Sequence, residues 1–303
     1  MTDIESKLRT LCPETDIYEY EPLSEHTTFK VGGPARLFVS PRSIEELALA
    51  VSEIKKSGEP WFLLGRGSNV LVSDKGFDGV VIHVAGGISD IQVNGNNITA
   101  GAGANLSAIA KAALDVGLGG LEFASGIPGS LGGAIYMNAG AYGGEIKDVC
   151  TEVTLIDDAG NICKVNASDM EFSYCHSAAM DKGYIICGAT FSLQPKDPSD
   201  IKAMMDDFAQ RRKDKQPLEY PSAGSTFKRP EGYFAGALIE QAGLSGYSIG
   251  GAAVSDKHCG FVINKDSATA SDIYNLCKHI QKTVQDKFGV QLELEVRTLG
   301  DFS

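Results

Sequence analysis

Ten of the 28 residues from Gly117 to Gly144 are glycine, and Glu122 is the only charged residue among them. Glycine at this density lets a backbone adopt positive φ and pass within van der Waals reach of a bulky neighbour. A flexible linker is polar between its glycines. Here the fillers are Leu, Ile, Phe, Met and Tyr, so the segment is expected to be packed and ordered. An ordered glycine-rich coil without a basic residue has two readings. One is a tightly turning buried connection; the other is a cradle of backbone N–H groups for a phosphate.

The length of 303 residues accommodates about two domains. A net charge of −12 argues against nucleic acid or an anionic membrane surface as the main partner. The N-terminal Met1-Thr-Asp-Ile-Glu-Ser-Lys7 has no apolar core of a signal peptide, and no apolar run reaches the length of a membrane span. A cytoplasmic protein is expected. The seven cysteines include no C-x-x-C pair, which reads as scattered reduced thiols with no metal site.

The pattern along the chain alternates helix and strand. Arg36–Ser40 and Trp61–Leu64 read as strands around a helix. Ser43 and Glu46 suit a capping box for that helix, and Gly58 its stop. Val80–Val84, Ile91–Val93 and Ile98–Ala100 read as short strands, and Asn105 as the cap of a helix running to Val116. Further strands are expected near Val149–Asp157, Ile162–Val165 and Tyr184–Leu193, then a hinge at Gln194–Pro198. Beyond it, Ile201, Met204, Met205 and Phe208 form a helical stripe of the kind that usually faces a core. Ala235–Gln241 and Ser271–Phe288 read as helices. The alternation of Val290, Leu292, Leu294 and Val296 with Gln291, Glu293, Glu295 and Arg297 reads as a last strand. Gly65-Arg-Gly-Ser-Asn69 and Gly101-Ala-Gly-Ala-Asn105 both lack the third glycine of a dinucleotide fingerprint.

Seven blocks, in order along nearly the whole chain, carry a resemblance. They are Thr27–Ala35, Gly65–Asn69, Gly126–Ala134, Asn138–Gly143, Ala223–Lys228, Gly250–Ala253 and Leu292–Arg297. Together they resemble the UDP-N-acetylenolpyruvoylglucosamine reductases (MurB), flavoenzymes of peptidoglycan synthesis. The short spacing between Ser177 and Tyr184 is similar to the second, shorter type of that family.

The resemblance implies an α+β protein: a two-subdomain FAD-binding region of the PCMH/vanillyl-alcohol-oxidase kind and a C-terminal α+β substrate domain. The boundaries expected are 1–84, 85–197 and 198–303, with the last strand returning towards the flavin. It implies the use of FAD and NADPH, a UDP-sugar substrate and a monomer. The reaction implied converts the enolpyruvyl ether of UDP-N-acetylglucosamine to UDP-N-acetylmuramate by two hydride transfers.

By the same resemblance, Gly65, Arg66, Gly67, Ser68 and Asn69 bind FAD, as do Ser125, Gly126, Ile127, Pro128, Gly129, Ser130, Gly132, Gly133, Ala134 and Asn138. Ser225 matches the family's proton donor and Glu295 its acid beside the developing enolate. Without the resemblance, Ser225 reads as a turn serine and Glu295 as part of a solvated strand face. Tyr174, Lys215, Arg229 and Tyr247 are expected to contact substrate. Arg211, Arg212 and Lys228 are further cations that could offset a diphosphate.

One departure stands out. The family carries Tyr-Arg-x-Ser, and this chain has Tyr174-Cys175-His176-Ser177. A thiol supplies neither a fixed positive charge nor a bidentate fork. This leaves open a reductase with another cation at work or a flavin-binding homologue with weak or no activity; a flavin oxidase of the same fold is a separate third reading, which does not explain the Ser225 and Glu295 blocks.

Overall fold

The computed structural model describes residues 3–303; the reading of Met1 and Thr2 lies outside the described residues. The chain forms two units. The first holds the chain up to Tyr18, Leu37–Arg66 and Val80–Arg211, and the second holds Glu19–Arg36, Gly67–Gly79 and Arg212–Ser303.

In the first unit, α1 (Asp3–Leu11) and α2 (Ile44–Ser57) bury Ile4, Leu8, Leu47, Val51 and Ile54. They share that core with Leu37, Val39, Val80 and Ile82 of a four-stranded sheet. The strand order is Asp16–Pro22, Pro34–Ser40, Phe77–His83, Trp61–Leu64, the last two parallel. Ser43 caps α2 by accepting from the Glu46 N–H at 3.1 Å, and Gly58 ends it at φ +70°. The reciprocal half of the expected capping box is replaced: the Glu46 carboxylate accepts from Arg42 N, Glu14 N and the Thr15 hydroxyl.

A second, antiparallel sheet is ordered Ile162–Asn166, Cys150–Ile156, Ile185–Ser192, Asn97–Gly101, Ile91–Asn94. One face packs on α3 (Leu106–Asp115) and α4 (Leu131–Tyr136) through Ile98, Leu106, Ile109, Leu131 and Ile135. α5 (Ala178–Lys182) comes after the short turn that begins beyond Met170. Asn105 precedes α3 but does not cap it; its Oδ1 accepts instead from Arg66 at 2.6 Å.

The expected hinge is not a free linker. Gln194–Pro195 pairs with Leu118–Gly119, and Lys196 reaches the buried Glu122 at 2.9 Å. α6 (Pro198–Lys215) then buries only Ile201 of its apolar stripe. Met204 is exposed, Met205 is half-buried and Phe208 stacks on Tyr142 at 4.5 Å. The stripe is thus a half-covered face rather than a core face.

The second unit builds its core from α7 (Ala235–Gln241) and α8 (Ala270–Phe288) against the sheet Ser248–Ile249, Ala252–Val254, Val262–Asn264. Thr269 and Asp272 form a complete capping box on α8, and Gly289 ends it at φ +69°. The expected last strand differs. Leu292 and Val296 are buried and Gln291 and Glu293 exposed, as alternation requires. Yet only Arg297–Leu299 is regular strand, parallel to Val70–Val72. Upstream, the pairing with Thr226–Lys228 is irregular, because both Glu295 N and Val296 N converge on the Thr226 carbonyl.

Candidate active site

In the first unit, the glycine-rich coil is laid along Ala102–Leu106. Gly132 N donates to Ala102 O at 2.8 Å, Leu131 N to Ala104 O at 2.9 Å, and Leu106 N to Gly129 O at 3.2 Å. Glycine suits this approach, since a Cβ on Gly132 would sit 3.0 Å from the Ala102 Cβ, closer than most side-chain contacts. Ser130 is 2% exposed and precedes α4 in an extended conformation. Its hydroxyl makes no capping bond, and among the described residues no partner meets this buried oxygen. A Cβ on Gly65 would lie 2.5 Å from the same oxygen, so the two glycine coils meet there. Ser125, by contrast, is already engaged, donating to Glu122 O at 2.8 Å.

Glu122 is the acidic residue of this coil. It is buried, accepting from Gly120 N at 2.6 Å and from Lys196 at 2.9 Å. Burial alone would raise its carboxyl, but the Lys196 bond and the backbone N–H groups outweigh that and hold it below the ordinary range. Asn138 is buried too, and its side chain is committed to Glu145, Lys147 N and Ser173 O. Tyr174 is 63% exposed at the tip of a turn, and Cys175 beside it has φ +51°. His176, the next residue, pairs with Asp181 at 3.0 Å.

In the second unit, Gly67 takes φ +61° and turns beneath His26 and Thr27, where a Cβ would lie 2.8 Å from the Thr27 Cα. Its carbonyl accepts from Thr28 N at 3.2 Å. Asn69 uses both its ends on the last segment. Its carbonyl accepts from Arg297 N at 3.0 Å, and its Nδ2 donates to the Glu295 carbonyl at 3.1 Å. Ser225 is exposed between Gly224, at φ +72°, and the buried Thr226. Thr226 N donates to Gly260 O at 2.9 Å, and its carbonyl accepts from Glu295 N at 3.0 Å. Its hydroxyl accepts from Val262 N at 2.9 Å. Thr226, the residue after Ser225, is thus bonded through its backbone to Gly260 and to Glu295.

The other expected contacts are spread over this unit. Arg229 lies over the Phe234 ring at 4.1 Å, and Tyr247 stacks on His279 at 4.6 Å. Lys215 is exposed at the end of α6. Lys228 pairs with Glu293 at 3.1 Å. In the first unit, Arg211 pairs with Asp207 at 2.8 Å. Sequence reasoning did not foresee His258. Its Nδ1 accepts from Gly260 N at 3.1 Å, and burial lowers its pKa, so this ring stays neutral under the loop that receives Thr226. Among the described residues no group of three His, Cys, Asp or Glu side chains could hold a metal, and no helix is long and apolar enough to cross a membrane.

Residues 216–299 match the model of the UDP-N-acetylenolpyruvoylglucosamine reductase C-terminal domain, and residues 35–166 match an FAD binding domain. The reductase of that name from Agathobacter rectalis is 49% identical over 302 residues, covering 96% of each chain. That from Caldanaerobacter subterraneus subsp. tengcongensis is 50% identical over 295 residues, covering 97% of each. The solved structure of the enzyme (MurB) from Thermus caldophilus aligns with a TM-score of 0.80 at 33% identity, covering 94% of this chain and 99% of the other. Likeness of this extent, running through both units, places the α+β chain in the UDP-N-acetylenolpyruvoylglucosamine reductase family.

Proposed function

We propose that this chain is an NADPH-dependent FAD reductase. It converts UDP-N-acetyl-3-O-(1-carboxyvinyl)glucosamine to UDP-N-acetylmuramate for peptidoglycan precursors, working as a cytoplasmic monomer. The three regions 1–84, 85–197 and 198–303 serve flavin, flavin and substrate respectively. The observation that carries the reading is the frame around Thr226, the neighbour of Ser225, whose carbonyl accepts from Glu295 N while Asn69 binds the Glu295 carbonyl.

The coil residues fit an FAD diphosphate. Among the described residues the buried Ser130 hydroxyl meets no partner, and Gly65 has no side chain to crowd it. Gly65, Ser130 and Gly133 would hold the diphosphate by hydroxyl and backbone N–H, while Gly132, whose N–H is taken by the Ala102 carbonyl, would contribute only its lack of a side chain. The chemistry supplied by bound FAD is the relay of hydride from NADPH to the methylene carbon of the enolpyruvyl group. The protein's part is charge and proton handling. Glu295 meets the carboxylate end where enolate charge develops, and Ser225 gives the proton to the adjacent carbon. Tyr174, Lys215, Arg229 and Tyr247 bind the UDP-sugar. Arg229 suits a diphosphate because the Phe234 ring beneath it orients its guanidinium.

The test is stopped flow without oxygen. NADPH should bleach the bound flavin, and the enolpyruvyl UDP-sugar should then restore its colour while UDP-N-acetylmuramate appears. Bleaching without restoration would overturn the reductase reading. One observation favours a second reading, a flavin-binding homologue with weak activity: the family arginine position is Cys175, and the adjacent His176 is engaged by Asp181. Slow restoration that is independent of substrate concentration would support it.

A further inference from the structure

A four-residue turn, Ser173–His176, presents Tyr174 at its tip, and both of its feet are bonded to the glycine-rich coil. Ser173 and His176 close the turn through reciprocal backbone bonds of 3.1 and 3.2 Å. At one foot, Asn138 Nδ2 donates to the Ser173 carbonyl at 3.1 Å. At the other, the Ser177 hydroxyl donates to the Tyr136 carbonyl at 2.8 Å. The anchors are buried, Asn138 at 4% and Ser177 at 0% exposure, while the tip they hold is 63% exposed.

Asn138 is built for this task. Its Nδ2 also donates to Glu145 at 2.7 Å, and its Oδ1 accepts from Lys147 N at 3.1 Å. An amide side chain has two donor hydrogens and one carbonyl, so both hydrogens and the oxygen are engaged. Its backbone stands at φ +44°, a region that asparagine enters more readily than most residues. Glu145 is held ionised by its bond to Lys147 and so remains an acceptor at neutral pH.

We propose that Asn138 and Ser177 are positioning residues for the reductase reaction, clamping the Ser173–His176 turn so that Tyr174 meets the UDP-sugar in one place. The inference rests on the function proposed above. It assigns the Asn138 side chain to the turn instead of to the flavin. An exposed turn tip held only by its own two backbone bonds opens easily. A displacement of about 1 Å in a substrate-orienting group can cost on the order of 100-fold in rate.

The test uses the full FAD-loaded chain. Asn138→Gly deletes the tether while tolerating the positive φ, and Ser177→Ala deletes the other without new backbone demands. Each should retain bound flavin, speed hydrogen exchange in the Ser173–Ser177 segment, and lower kcat/KM for the UDP-sugar by about tenfold or more. In a Tyr174→Ala background each should cost less than about twofold further, because the group they position is gone. Additive losses in that background would show a general structural effect and overturn the proposal. So would unchanged exchange, or faster exchange with unchanged kcat/KM. If the wild-type chain reduces no UDP-sugar at all, the functional reading fails; the exchange measurement then still reports whether the clamp exists.

Discussion

Replacing Ser130 with alanine should move two properties in opposite directions. The Ser130 hydroxyl is buried at 2% exposure and, among the described residues, meets no partner; without a bound group to meet it, that is a desolvation cost of about 1–3 kcal/mol. Alanine removes that cost. It forfeits no capping bond, because Ser130 makes none, and its φ of −90° with ψ of 158° suits alanine equally well. For a unit of this size, each kcal/mol is worth roughly 2–4 °C, so the flavin-free variant should melt roughly 2–12 °C higher. With FAD the sign reverses. A hydrogen bond to a charged diphosphate is worth about 1.5–3 kcal/mol, so the Kd for FAD should rise by roughly 10- to 150-fold.

The assay is thermal unfolding of flavin-free protein, with FAD affinity measured by quenching of flavin fluorescence. Ser125→Ala is the internal contrast. Its hydroxyl is already bonded to Glu122 O, so its loss should lower the flavin-free melting temperature. A lower melting temperature for Ser130→Ala would mean that the hydroxyl has a protein partner. An unchanged Kd would mean that it does not face the flavin. Either result refutes the reasoning.

Three further outcomes are expected. Ser225→Ala and Glu295→Gln should leave flavin reduction by NADPH nearly intact and slow reoxidation by substrate by about 10²–10⁴-fold; equal slowing of both halves in stopped flow would assign them structural roles. Cys175→Arg should speed reoxidation, up to about 10³-fold if it restores a cation at the enolate, and a slower variant would show a site rebuilt around the thiol. Glu122→Gln should destabilise at pH 7, measured by urea unfolding. Because the folded Glu122 pKa lies below its ordinary value of 4.5, its contribution is present above that pH and lost as pH falls through the folded value. The gap between wild type and variant should therefore close below about pH 4.5, and a gap independent of pH would assign the loss to packing.

Elements whose ends are signalled locally were legible in the sequence. Ala235–Gln241 is observed with the bounds expected, and α2 and α8 stop at Gly58 and Gly289, where a left-handed residue is needed. What failed was decided by distant partners. Glu46 looked like the second half of a capping box, but Glu14 and Thr15, more than 30 residues earlier, take its carboxylate. Asn105 looked like a helix cap and is an acceptor for Arg66. The alternation at Val290–Val296 correctly marked the buried face. It could not reveal that the partner, Thr226–Lys228, draws two N–H groups to one carbonyl and breaks the ladder.

The same distinction runs through the site. Glycine density is a local property, so the coils were visible from composition. The jobs of their asparagines were not, because Asn69 binds a carbonyl 226 residues away and Asn138 one 35 residues away. Cys175 lies between these cases. Its substitution for arginine is plain in the sequence, but its consequence depends on the turn that carries it. At φ +51° cysteine and arginine bear a similar backbone cost, roughly 1–3 kcal/mol, so this turn neither demands the thiol nor forbids the guanidinium. The anchors on either side, Asn138 to Ser173 and Ser177 to Tyr136, do not involve the 175 side chain. Backbone conformation thus gives no reason for the loss of the arginine. On the function proposed above, the consequence of that loss falls on the chemistry, where Glu295 and a cation from elsewhere would have to meet the enolate, the neighbouring His176 ring being paired with Asp181.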